Sequence, residues 1–277
     1  MADPEKEKLI DFEEDESPSE PPKAPQTPKT PRRRGPTLLQ IPIIMHLRGQ
    51  RVILASASPQ RRALLGQIGL TSLEIRPSSK PENIDKVKHT PHEYVAETAR
   101  QKALDVYQAV LTQGEMDPSL VDPTLLIAAD TIIVSRDGRI IEKPRSQADH
   151  IRMLKMLRDT EYHSVLTCVV VMAPREDARH PGYDMAVHTE ETKVWFASEN
   201  DGLPDDVIEA YVKAGEGVDK AGGYAIQGLG GMILVDKVNG SVDNVVGLPV
   251  RRCLAMAEKV IFRQDEEDED EEDEDYE

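Results

Sequence analysis

The chain has 277 residues, 39% of them hydrophobic and 4% aromatic, with 51 acidic against 34 basic side chains and a formal net charge of −17 at pH 7. No apolar run nears the roughly 18 residues a membrane span needs, and the N-terminus opens on acidic and polar residues instead of a signal peptide. These features predict a cytoplasmic protein that spans no membrane, and the acidic balance offers no basic field for a nucleic-acid polymer.

The charge is unevenly placed. Residues 265–277 hold 12 acidic and no basic side chains, whereas residues 49–264 hold 30 acidic and 26 basic ones and are close to neutral. Residues 1–48 are rich in Pro, Glu, Lys and Ser, and such a stretch buries too little apolar surface to offset its ordering entropy. The predicted organisation is therefore a disordered extension over 1–48, one domain over 49–264 and a disordered acidic tail over 265–277. Leu38 to His46 are more apolar than the residues before them and read as an extra strand or a linker anchor.

The domain opens with a β-branched run at 52–56 that stops at serines and turns at once into a helical pattern at 59–68. Ser58 stands at the N-cap and Pro59 at the first helical position, where a missing N–H costs nothing. Arg61 and Arg62 follow in the first turn, where they oppose the helix dipole. Free N–H groups, serine hydroxyls such as Ser56, and arginines at one corner suit a polyanion, most simply phosphate.

A polar irregular stretch over 74–89 contains Glu82, which by itself reads equally as a ligand or a solvated side chain. Thr90-Pro91 opens a helix over 91–112. On it Lys102 is at least as readily a surface lysine as a phosphate ligand. The apolar run 125–134 is interrupted by Asp130 and Thr131, and Asp137-Gly138 predicts a hairpin that returns Arg139–Lys143 antiparallel. A charge in a central strand is costly unless paired or bound to metal. Asp130 is accordingly read as a metal ligand or base for water, or as an edge Asp taking backbone hydrogen bonds. Lys143 can lie beside it, or be solvated.

A helix from Ser146 to Leu157, strands at 163–172 and 185–197, a helix at 204–213, a strand at 232–238 and a helix at 249–262 complete the pattern. Helices and strands alternate without strict βαβ order, so the fold class is α/β with a mixed twisted sheet flanked by helices. The stretch Asp219–Gly231 has five glycines and matches neither a Walker A loop nor a dinucleotide fingerprint. Within it Gln227 could read a base edge, or stand on the surface of a bulged strand. Cys168 and Cys253 have no paired spacing and read as packing residues of a reducing compartment.

Taken together, Leu54-Ala-Ser-Ala-Ser-Pro-Gln-Arg61, the Pro77–Glu82 loop, Ala99-Arg-Gln-Lys-Ala103, Ala129-Asp-Thr-Ile-Ile133, Glu142-Lys-Pro144, Asp219-Lys-Ala-Gly222, Tyr224-Ala-Ile-Gln-Gly228 and Asn244-Val-Val-Gly-Leu-Pro249 resemble the Maf-like nucleoside triphosphate pyrophosphatases, in family order over about residues 50–262. The resemblance implies a deep nucleotide cleft, a shape similar to inosine triphosphate pyrophosphatases, and a protein that is often a homodimer. It implies cleavage of a nucleoside triphosphate, of the dTTP and UTP branch, to the monophosphate and pyrophosphate with a divalent cation, Mg²⁺ or Mn²⁺. In that reading Asp130 activates water, Glu82 and Asp130 hold the metal, and Ser56, Arg61, Lys102 and Lys143 bind phosphates. Thr131 and Gln227 go with the pyrimidine preference. Gln60 stands where the family commonly has the first Arg of Ser-Pro-Arg-Arg, a position tied to substrate choice. The alternatives are a non-catalytic nucleotide sensor regulating division or growth, and a pyrophosphatase for modified or other nucleotides.

Overall fold

In the computed structural model the described residues are 40–81, 84–117, 119–175 and 182–262. They begin with helix α1 (Pro42–Leu47), which has Pro42 in its first turn and buries Ile43, Ile44 and Leu47. Strand β1 (Val52–Leu54) leads into α2 (Pro59–Gln67), capped by Ser58, whose hydroxyl accepts from the Arg61 N–H at 3.4 Å. Strand β2 (Leu73–Ile75) is followed by α3 (Pro91–Met116), which starts on a reciprocal capping box between Thr90 and Glu93. Strand β3 (Leu125–Val134) turns through Asp137-Gly138 into the short β4 (Ile140–Ile141). Helix α4 (Gln147–Asp159), strands β5 (His163–Pro174) and β6 (Tyr183–Phe196), and helix α5 (Asp205–Ala214) follow. The chain then runs through α6 (Leu229–Ile233), β7 (Val235–Asn239), α7 (Val242–Val246) and α8 (Val250–Phe262).

The seven strands form one mixed sheet in the order β2-β1-β3-β5-β6-β7, with β4 also on β3. β2, β1 and β3 are parallel, while β3, β5, β6 and β7 are antiparallel. β3 and β5 are buried on both faces, which is why they read as continuous apolar runs. One face packs Ile53, Leu126, Ala128 and Val170 on α3, where fully buried Ala99 and Ala103 let the helix lie close. The other packs Leu54, Ile127, Ala129 and Val169 on α1, α2 and α8. A third cluster, with Leu154, Leu157, Ile208 and Tyr211, covers the far end of the sheet with α4 and α5. Each large apolar side chain buried in these clusters contributes about 1.5–3 kcal/mol.

Three expectations change. Residues 42–47, placed in the N-terminal extension, form a helix in the main core, because Ile43, Ile44 and Leu47 share one face and find α8 beneath it. Residues 1–39 and 263–277, which include the rest of that extension and the acidic tail, lie outside the described residues. The strand expected at 232–238 starts at Val235, since Leu229–Ile233 is helical. The glycines of the Asp219–Gly231 stretch do not sit in a bulged strand, since no strand forms there. A side chain at Gly230 or Gly231 would collide with the carbonyl of Ala225 or Ile226, so these residues let the chain fold tightly on itself.

Candidate active site

The cleft is a gap in the sheet. Along one edge β3 pairs with β5 from Leu126 to Val134 without interruption. Along the other, β1 accompanies it only to Leu54 opposite Ile127, with a last bond from the Ala55 N–H to the Ile127 carbonyl at 2.8 Å. β4 takes over at Ile133. Between them residues 128–132 have no strand on that side among the described residues, because the chain after β1 turns away at Ser56-Ala57-Ser58 to start α2. Open α/β sheets place ligands at such points, beyond the carboxyl end of a parallel strand. Asp130 and Thr131 sit in the middle of the gap.

The resulting cleft measures about 510 Å³ and is lined by five basic residues, Arg61, Lys80, Lys102, Lys143 and Lys220, against two acidic ones, Asp130 and Asp219. This local excess of positive charge, in a near-neutral domain, suits a small polyanion. Ser56, Gln60 and Thr131 also line it.

Asp130 lies on the α3 face of β3 and is buried. Its carboxylate accepts from Lys102 Nζ at 2.7 Å, which compensates a charge that burial alone would penalise. The lysine expected beside it, Lys143, is exposed two residues past β4 and lines the same cleft; the lysine that makes this contact is Lys102. Glu82, expected as a metal ligand, lies outside the described residues. Just before it, the Pro77 loop is tied down to α3. Asp105 accepts from the Ser78 hydroxyl at 2.7 Å and the Ser79 N–H at 2.9 Å. Burial raises the Asp105 pKa, but these serine bonds and Lys80 outweigh it and the carboxyl ends below its ordinary value. Asp105 was not singled out in the sequence, although it stands one helical turn beyond Lys102 on the same helix face.

Thr131, one residue on, faces the other side of the sheet, as alternation requires. There the guanidinium of Arg61 holds three separate segments together. Nε donates to the Gly247 carbonyl at 2.7 Å, Nη1 to Ser56 Oγ at 3.0 Å and Nη2 to Thr131 Oγ1 at 2.9 Å. Arg61 is buried, and so frames the cleft with its planar fork, whereas Arg62 is exposed. Gln60 lines the cleft too, but its Oε1 accepts from Ser58 Oγ at 3.1 Å, and the residue touching Thr131 is Arg61. Gln227 is exposed and is not among the residues lining the cleft; its neighbour Ile226 is.

The segment Val245–Gly247 closes the Arg61 side of this gap, and the match of this whole frame to known proteins is broad. Residues 51–260 fit the model of the Maf-like protein family. The chain belongs to the Maf-like family. Among its relatives, the dTTP/UTP pyrophosphatase of Schizosaccharomyces pombe is 40% identical over 232 residues, covering 83% of this chain and 92% of that one. The dTTP/UTP pyrophosphatase of Saccharomyces cerevisiae is 35% identical over 209 residues, covering 73% and 86%. Among solved structures, a HAM1 protein from Coxiella burnetii is a loose likeness, with a TM-score of 0.37 and 15% identity over 74% of this chain and 97% of that one. The Maf-like match runs from β1 into α8, so both sides of the sheet gap lie within it.

Proposed function

We propose that this Maf-like protein is a nucleoside triphosphate pyrophosphatase that converts dTTP and UTP to the monophosphate and pyrophosphate, clearing them from the nucleotide pool. The observation that carries the reading is Asp130, a buried carboxylate paired to Lys102 at the centre of a cleft with a basic excess. Two relatives named dTTP/UTP pyrophosphatase, at 40% and 35% identity, support the substrate.

In the reaction a water attacks the α-phosphorus, the α–β bridging bond breaks, and pyrophosphate leaves with that bond's electron pair. Asp130 accepts a hydrogen bond from the water and takes up its proton. Lys102 holds that carboxylate in place. Lys143, Lys80 and Lys220 neutralise the phosphates, and the free N–H groups at the start of α2 beside Ser56 add donors without reorganisation.

A divalent cation, Mg²⁺ or Mn²⁺, belongs to the proposal. Magnesium is ordinarily held by one or two carboxylates together with substrate phosphates. Asp130 fits that mode, and no group of three or more His, Cys, Asp or Glu side chains forms a cage among the described residues. Asp130 would hold the ion with the phosphates, Glu82 being the expected second carboxylate, and the ion would screen the charge that builds on the leaving pyrophosphate.

A cytoplasmic location and a homodimeric assembly complete the reading. The free, buried Cys168 and Cys253 suit a reducing compartment, and among the described residues no helix is long and apolar enough to cross a membrane. The test is incubation of the protein with dTTP, UTP and Mg²⁺. Equal yields of monophosphate and pyrophosphate are expected; release of single phosphate, or turnover that survives Asp130→Asn, would overturn the assignment.

A further inference from the structure

A chain of hydroxyls runs from the cleft into the sheet. Thr131 Oγ1 and Thr167 Oγ1 lie 2.9 Å apart across the β3–β5 pair, in directly opposed register. Thr167 is fully buried in β5 and does not line the cleft. Its hydroxyl donates to the backbone carbonyl of Asn244 at 2.9 Å. A carbonyl can only accept, so the single proton of Thr167 is used there. The proton between the two threonines therefore belongs to Thr131. On its other side Thr131 accepts from Arg61 Nη2 at 2.9 Å. A hydroxyl has one proton and two lone pairs, so what Thr131 has left for the cleft is one lone pair.

The Asn244 carbonyl is itself fixed. The Asn244 side-chain amide donates to the Val165 carbonyl at 3.1 Å and to Thr192 Oγ1 at 2.9 Å, and this locks α7 onto β5 and β6. In front of Thr131 stands Gly247, where a Cβ would come within 3.4 Å of the Thr131 hydroxyl and 3.6 Å of Arg61 Nε. The absence of a side chain there keeps the approach to that lone pair open.

We infer that Thr167 is a positioning residue that sets the polarity of Thr131, turning its hydroxyl into an obligate acceptor toward the cleft. This rests on the proposed dTTP and UTP substrate, bound with its base against Thr131. Uracil and thymine carry an imide N–H at ring position 3, a donor that such an acceptor can pair with. Cytosine carries a lone pair at the same position, so that two acceptors would face each other with neither satisfied. A hydroxyl free to rotate would offer its proton to cytosine and its lone pair to uracil alike. The discrimination thus comes from a residue that never touches the substrate.

The experiment compares kcat/KM for UTP and CTP in the unaltered protein, in Thr167→Val and in Thr167→Ser. The isosteric valine frees the Thr131 proton, and the ratio of UTP to CTP efficiency is expected to fall about ten-fold, through a lower KM for CTP with kcat for UTP little changed. Thr167→Ser keeps the hydroxyl and is expected to keep the ratio. An unchanged ratio in a folded Thr167→Val, or equal loss in both variants, overturns the inference while leaving the pyrophosphatase reading intact. Absence of UTP and dTTP hydrolysis by the unaltered protein overturns both. If Thr167→Val does not fold, the unaltered protein is given 3-methyl-UTP beside 5-methyl-UTP. Loss of the first with retention of the second is the expected result, and equal turnover of the two overturns the inference.

Discussion

Lys102 Nζ and Asp130 Oδ1 lie 2.7 Å apart, joining a helix and a strand 28 residues apart in sequence at the gap between β1 and β4. Both side chains are largely shielded, with 17% and 9% of their surfaces exposed, so the contact offsets part of the cost of burying each charge.

Lys102→Met should therefore affect both stability and turnover. It takes the Lys102 contact from the buried Asp130 charge, at a cost of about 1–3 kcal/mol, and it also removes a cation from the phosphate cleft. Asp130→Asn should lower kcat by about 10²–10⁴-fold, and its amide oxygen can still accept from Lys102, so the melting temperature should fall less than in Lys102→Met. Thermal melts and single-turnover kinetics on the two variants separate these effects. A stable but inactive Lys102→Met would show that the pair has no structural weight.

Arg61→Lys should behave as a non-conservative change. An ammonium cannot reproduce the three directed N–H bonds to Gly247, Ser56 and Thr131, and the buried acceptors are left short. The expected cost is about 2 kcal/mol, a melting shift of several degrees in a domain of this size, with KM raised for UTP. A lysine variant with an unaltered melt would contradict the framing role.

Gly217 and Gly138 share a left-handed backbone, φ +82 and +83, but not their surroundings. A Cβ at Gly217 would run into the carbonyl of Gly223, whereas one at Gly138 meets nothing within 4 Å. Gly138→Ala is thus expected to cost about 1–2 kcal/mol from conformation alone. Gly217→Ala should cost at least about 2 kcal/mol more, since the turn beside the cleft must also shift. Urea denaturation of the two variants checks the difference, and equal costs would refute the packing argument.

His163 gives the acid limb of stability a specific cause. Burial pushes its pKa down to about 4, below the value near 6.5 of an exposed histidine. Its Nε2 lies 2.7 Å from the Tyr224 hydroxyl and its Nδ1 is buried without a partner. The unfolded chain therefore binds a proton between pH 6.5 and 4 that the folded one does not. Stability from this residue is complete above about pH 6.5 and declines as the pH falls toward 4, by up to about 3 kcal/mol. Folding free energy measured across that window should lose much of its slope in His163→Gln; an identical slope would assign the acid sensitivity elsewhere.

Removal of divalent cations with a chelator should abolish turnover without moving the melting temperature of the nucleotide-free protein. The reason is that Mg²⁺ held by one or two carboxylates together with substrate phosphates binds chiefly when the nucleotide is present. Stabilisation by Mg²⁺ alone would contradict this.

What the sequence determined by itself was local. The Ser58-Pro59 and Thr90-Pro91 helix starts, the β3 run and its Asp137-Gly138 hairpin follow from caps, fixed backbone angles and apolar runs, and each forms within a few residues of its expected bounds. The family was also legible, because its motifs recur in order. Questions of which side chain meets which were open until the sheet closed. A lysine on a helix reads the same whether solvated or paired, and only the close approach of α3 at Ala99 and Ala103 brings Lys102 to Asp130. Arg61 belongs to the frame because the α2 N-terminus, Thr131 and Gly247 converge from segments far apart in sequence, and whether Gln227 or its neighbour Ile226 would line the cleft was set by the same convergence. Helix α1 was hidden for the same reason: six residues have too few turns to announce a helix, and it exists because the α8 face is there to cover. Propensity and capping act within a turn of chain, whereas burial and hydrogen-bond partners are set by residues the local pattern does not contain.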